Sequence, residues 1–220
     1  MVSYINTGRN LKLLLHYASA MSLILLLCTS CIPAPGISTP DSSPKDIQIN
    51  VSAIILDDIS GRDSSIRQTE DIVRIFNYTN QIWAAAHIKF KLDSITRVTV
   101  SHFIIEELAN SNYEATLNYL SSHDILPADH QLGVIYASRI GGMNGKSDKD
   151  NRIIYITDYP YVDDFRVTSH EIGHVLGLSH DVYDRGSLMY SGSQGTKLSE
   201  NEIRQARDEA LSIITIPNQN

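Results

Sequence analysis

The segment HEIGHVLGLSH at positions 170–180, followed by Asp181, concentrates three imidazoles and a carboxylate in a short stretch of chain. Residues four apart on a helix lie on the same face, so His170 and His174 can direct two ring nitrogens at one ion. Glu171 stands beside the first histidine and can reach a water held by that ion. Gly177 follows the second histidine by three positions. A glycine takes up the left-handed conformation without steric penalty, so the helix can end there in a turn that brings His180 back. Three neutral nitrogens then fill three corners of a tetrahedron and leave the fourth to water, which is the pattern of a catalytic zinc site rather than a closed structural one. Zinc lowers the pKa of its water, and Glu171 is placed to take up the proton and pass it to a leaving amine. The expected cofactor is one Zn2+ ion on His170, His174 and His180, although imidazole sites also accept other divalent ions.

Positioning these groups requires a helix that starts at Asp163 or Asp164 and runs to about Leu176. Ahead of it, apolar alternation predicts strands from Ile47 to Leu56 and from Ile88 to Val100, the second bent at Asp93–Ser94. Short apolar runs predict further strands over Leu132–Ala137 and Ile153–Thr157. Gly141, Gly142, Asn144 and Gly145 break the chain between them. Helical spacing over Thr69–Ala86 buries Trp83, and another helix is expected over Asn112–Ser121. Ser199 and Glu202 form a capping box for a last helix whose apolar face would be Ile203, Ala206, Ala210, Leu211 and Ile214. The layout is α/β (α+β), with one sheet and a few helices.

The chain has 220 residues and a formal net charge of −7, which argues against nucleic acid as a partner. Its two cysteines, Cys28 and Cys31, lie near the N-terminus, so neither a disulfide framework nor a thiolate metal site is available to the body. Residues 1–31 read as an export signal: Arg9 and Lys12, then the apolar run MSLILLL at 21–27. With Ser30 before Cys31, the end of this segment resembles the lipobox of bacterial lipoproteins. That resemblance implies acylation of Cys31, with Cys28 the poorer candidate, and a membrane held through the lipid. Residues 32–46, rich in proline and serine, read as a linker, and 47–216 as the functional domain.

Together with Met189 in SLMY at 187–190, the segment HEIGHVLGLSH resembles the metzincin clan of zinc peptidases. The sequence around Met189 is similar to matrixins, and Asp181 to the reprolysin branch; small bacterial members related to both are the best comparison. The resemblance implies a metzincin-like zincin fold. This is a twisted, mostly parallel sheet with an antiparallel edge strand, a backing helix, the active-site helix and a C-terminal helix. It implies that Met189 forms a hydrophobic base beneath the metal. It also implies that a protein or peptide substrate lies along an edge strand near 142–146, with 153–157 as the rival edge. Gly142, Met143, Asn144 and Gly145 would then bind substrate, with the active-site helix and residues after Met189, such as Tyr190 and Ser191 on to Ser193, walling the pocket past the scissile bond. Matrixins often carry proline where this chain has Ser191. The implied protein is a monomeric zinc metalloendopeptidase of the bacterial envelope or exterior. His123, Asp124, Asp129 and His130 fall where matrixins bind structural zinc and calcium, but their spacing differs, so calcium has no support in the sequence. Asp148, Asp150, Asp158, Asp163 and Asp164 read as loop and cap residues. The competing reading is a lipid-anchored binding or adhesion module with a structural zinc site.

Overall fold

The computed structural model describes residues 44–215; the export signal, the lipobox cysteines and most of the linker lie outside them. Eleven elements follow in order, one of them a 3-10 turn at Ala84–Ala86. The strands are β1 (Ile47–Asp58), β2 (Ile88–Val100), β3 (Gln131–Ala137), β4 (Gly145–Asp148) and β5 (Ile153–Thr157). The helices are α1 (Thr69–Trp83), α2 (His102–Ala109), α3 (Tyr113–Ser122), α4 (Asp164–Val175) and α5 (Glu200–Thr215). The sheet order is β2-β1-β3-β5-β4. Every pairing is parallel except β4 with β5. The edge strand thus falls at the earlier of the two candidate segments, and Ile153–Thr157 lies inside the sheet.

Parallel strands covered on both faces read as continuous apolar runs, as β3 and β5 do, whereas β2 at the sheet edge alternates. On β1, Ile49, Val51, Ala53 and Ile55 enter the layer shared with α1, α4 and α5, whereas Ile54 and Leu56 enter the layer shared with α2 and α3. Trp83 is fully buried, edge-on to Phe90 at 6.0 Å. The β1–β2 register skips Asp93, between Val51↔Leu92 and Ser52↔Ser94, so the bend expected at Asp93–Ser94 is a β-bulge.

Two expectations need correction. α2 occupies a stretch in which no helix was expected, because its eight residues are too few to display a period. On α5 the buried face is Ala206, Ala210 and Ile213, with Ile203 partly buried, while Leu211 and Ile214 are exposed. α5 packs against β1 and the turn after α1, and that contact selects the face. The capping box forms as expected, with the Ser199 N–H donating to Glu202 at 2.7 Å and the Glu202 N–H to the Ser199 hydroxyl at 3.3 Å.

A buried ionic cluster fixes where α4 starts. Arg67 donates to Asp164 at 2.6 Å and to the Asp158 carbonyl at 3.0 Å, and Arg74 reaches the same Asp164 carboxylate at 2.7 Å. Asp158 also accepts from the Ser65 hydroxyl and the Ile66 N–H, both at 2.8 Å. Arg67 also lies 3.6 Å from the Asp158 carboxylate, so Asp158 and Asp164 are both ion-pair partners, while the N-cap residue Asp163 makes no side-chain cap bond. Removing one member of such a buried pair costs about 3–5 kcal/mol.

A second clasp joins the end of β1 to α2. His102 Nδ1 lies 2.7 Å from Asp58, and its Nε2 lies 3.2 Å from Glu106. The bond to Asp58 chiefly holds the imidazole pKa above its ordinary 6.5, against the cost of burial, and the charges of Asp58, Glu106 and Asp63 add to it. Asp58 is itself held low: burial opposes its ionisation, but bonds from Ser60, His102 and the Asp63 N–H outweigh that. A folded-state pKa raised above the unfolded one stabilises fully below pH 6.5 and ceases to do so as pH rises through the raised value. The melting temperature of the parent, at fixed zinc, should therefore fall more steeply above pH 6.5 than that of His102→Gln. Parallel pH profiles would show that no charge on His102 supports the fold.

Candidate metal centre

α4 carries His170 and His174 on one face, and a backbone turn completes the set. The Gly177 N–H donates to the His174 carbonyl at 3.0 Å and the Leu178 N–H to the Gly173 carbonyl at 2.9 Å. Gly177 has φ +83°. These are the two bonds of a Schellman ending, and the left-handed residue it demands is supplied by glycine. Gln205 of α5 caps the Gly177 carbonyl from outside. The chain thereby reverses and returns His180, and one nitrogen of each histidine lies within 4.8 Å of the others.

The donor atoms suit zinc. His170 Nδ1 donates to the Leu188 carbonyl and His174 Nδ1 to the Leu178 carbonyl, both at 2.8 Å. With Nδ1 carrying the proton, each Nε2 presents a lone pair. His174 Nε2 and His180 Nε2 stand 3.0 Å apart; two nitrogens about 2.05 Å from a tetrahedral zinc would stand about 3.3 Å apart. Burial pushes the His170 pKa down to about 4 and lowers that of His174, so both rings are neutral at pH 7.

Glu171 faces the edge strand. A Cβ at Gly145 would lie 2.6 Å from Glu171 Cγ and 2.8 Å from Val167 Cγ1, so β4 can approach α4 this closely only with glycine there. Burial pushes the Glu171 carboxyl up to about 7, opposed by a hydrogen bond from Ser147 and by the charges of Lys146 and Arg166. Met189 is fully buried and packs beneath α4 at Gly173. The loop bearing Met189 is held by Arg166, which donates to the Leu188 carbonyl at 2.6 Å, to the Gly195 carbonyl at 3.2 Å and to the Tyr190 carbonyl.

The cleft in front of these groups has a volume of about 650 Å³. Gly142, Met143, Asn144, Gly145 and Ser191 line it, together with His170, Glu171, His174 and His180. Tyr190 is not among the lining residues: the Arg185 guanidinium lies over its ring at 5.9 Å, and Gly192 joins Ser191 at the wall. His123 stacks on Tyr119 at 4.2 Å and belongs to neither of the two groups of possible metal ligands among the described residues, the second being Asp58, Asp63 and His102. Sequence reasoning missed Ser147 and Arg166. The alternation Gly145, Ser147 on a strand beside Glu171 could have signalled the first; an arginine four residues before a ligand, on a buried face, could have signalled the second. Metal-depleted protein should take up one zinc per chain. His174→Ala should weaken that uptake about 100-fold or more, beyond the loss an outer partner causes, as read by competition with a chromogenic chelator.

The matrixin family model matches residues 67–215, which include the whole metal centre. The chain is 28% identical over 115 residues to the interstitial collagenase of Aquarana catesbeiana, a match covering 50% of this chain and 30% of the collagenase. It thus spans less than a third of that relative. Among solved structures, metalloproteinase II of Bacteroides fragilis aligns with a TM-score of 0.52 at 20% identity, covering 76% of this chain and 55% of the other. Archaemetzincin from Methanopyrus kandleri aligns with a TM-score of 0.52 at 13% identity, covering 76% and 98%. These two likenesses speak to the fold, a mostly parallel sheet with one antiparallel edge. With the family match spanning over half of the sequence, the chain belongs to the matrixins, within the metzincin clan of zinc metallopeptidases.

Proposed function

We propose that this chain is a zinc-dependent endopeptidase of protein or peptide substrates, with Glu171 as general base. The observation that carries this reading is the convergence of three imidazoles beside a buried carboxyl, in a cleft that opens along β4, the antiparallel edge strand. Zinc held by His170, His174 and His180 supplies Lewis acidity, polarising a substrate carbonyl and bringing the pKa of a water toward neutrality. The chain's own residues do the rest. The outward N–H and C=O groups of β4 can pair with an extended peptide, which sets the scissile bond across α4. Gly142, Met143 and Asn144 form the wall at the start of the edge, and Ser191 the wall opposite. The Glu171 carboxylate takes up the proton that the attacking water loses and returns it to the leaving nitrogen.

Glu171→Gln preserves shape and removes the base. Its hydrolysis of casein should fall roughly 10²- to 10⁴-fold while its zinc content stays at the parent's level. Cleavage at the parent's rate would refute the role of Glu171. Full zinc loading with no cleavage of any member of a broad peptide library by the parent would favour a binding module instead.

We also propose export and acylation at Cys31, on the strength of the N-terminal sequence. In a bacterial host, an alkyne-tagged fatty acid should label the parent and Cys28→Ser but not Cys31→Ser. Label retained in Cys31→Ser and lost in Cys28→Ser would move the anchor.

A further inference from the structure

The two faces of β4 differ in chemistry. Gly145 and Ser147 face α4, where a Cβ at Gly145 would meet the Glu171 side chain. Strand side chains alternate, so Lys146 and Asp148 face the other way. Lys146 pairs across the ladder with Tyr155, whose ring packs on Tyr113 at 4.8 Å in the opposite core layer. A peptide strand added outside β4 obeys the same alternation, and cross-strand neighbours share a face. If one of its side chains enters the pocket beside Val167 and His170, the residues immediately before and after it point to the face of Lys146.

The charges of the cleft are uneven. The chain carries a net charge of −7, yet the Lys, Arg, Asp and Glu residues lining the cleft are Lys146, Lys149, Arg166 and the single acid Glu171. Arg166 is buried and committed to backbone carbonyls. Lys149 pairs with Glu209 at 3.3 Å. Lys146 is exposed and has no ionic partner among the described residues. Asp148, on the same face two residues further on, is turned toward Asn151, accepting from its N–H at 3.2 Å and its side-chain amide at 2.8 Å. Asp148 repels an acid placed opposite itself, so a carboxylate is welcome at one site along the edge and not at the next on that face.

We infer that Lys146 is a specificity-determining residue that favours an acidic substrate side chain next to the residue occupying the pocket beside α4. The claim rests on the endopeptidase reading and adds a substrate class to it. An exposed ion pair is weak, so the preference for Glu or Asp over Gln or Asn at that position should be about two- to five-fold. It should shrink as ionic strength rises, because salt screens exposed charges over a Debye length of about 10 Å at 0.1 M.

The test is a digest of a proteome-derived peptide library by the zinc-loaded full-length parent, Lys146→Met and Lys146→Glu, with the cut sites read by mass spectrometry. The readout is the residue profile around the cuts, which does not depend on how many cuts each protein makes. The parent should enrich Glu and Asp two- to five-fold at one of the two positions flanking the pocket residue. Lys146→Met should lose that enrichment, and Lys146→Glu should turn it toward Lys and Arg. The same acidic enrichment in all three proteins, or none in a parent that cuts well, overturns the role of Lys146 and leaves the peptidase reading standing. A fully zinc-loaded parent that cuts nothing overturns both.

Discussion

One carbonyl oxygen, that of Leu188, holds the two halves of the site together. It accepts from His170 on one side and from Arg166 on the other, and both donors project from the same helix. The first bond selects the imidazole tautomer that leaves Nε2 free, and the second pins the loop that brings Met189 beneath α4. A shift of this loop would move the ligand ring and its apolar floor together. The second histidine repeats the device with the Leu178 carbonyl, whose own position follows from the glycine-ended turn. The geometry of these rings is thus written in backbone carbonyls that the fold has already placed, and the rings cannot choose freely among rotamers.

The same economy governs Glu171. Its altered acidity comes first from burial, and the burial comes from the closeness of β4, which the bare glycine at 145 permits. Ser147 and the nearby cations then act against the desolvation. α4 is itself anchored upstream, where two arginines converge on Asp164. Sheet, helix and loop therefore meet at a single carboxyl and three rings.

How much of this could be read from residues alone depends on whether the cause was local. His170, His174, Gly177 and His180 are close in sequence and linked by helix and turn geometry, so their spacing carried the geometry with it. Strands buried on both faces announced themselves as apolar runs. The Leu188 and Leu178 carbonyls were invisible because a backbone oxygen has no residue type. Ser147 and Arg166 were missed because their partners are supplied by tertiary contacts. The buried face of α5 was misread by one step, since Leu211 and Ile214 are as apolar as Ile213 and only the neighbouring β1 decides among them. Of the segment from Tyr190 to Ser193, Ser191 and Gly192 line the cleft, because the direction of a loop side chain follows from loop contacts rather than from its neighbours in sequence.

The brevity of β4 carries a further consequence. A free sheet edge offers a ladder of unpaired N–H and C=O groups to any extended chain, including another copy of the same protein, and long flat edges seed polymerisation for that reason. This edge is four residues long, opens on glycine and presents a solvated ammonium at its second position. Two like-charged lysines would face one another if two such edges met in antiparallel register. The strand is therefore open enough to admit a visiting segment and too short and too charged to template an aggregate.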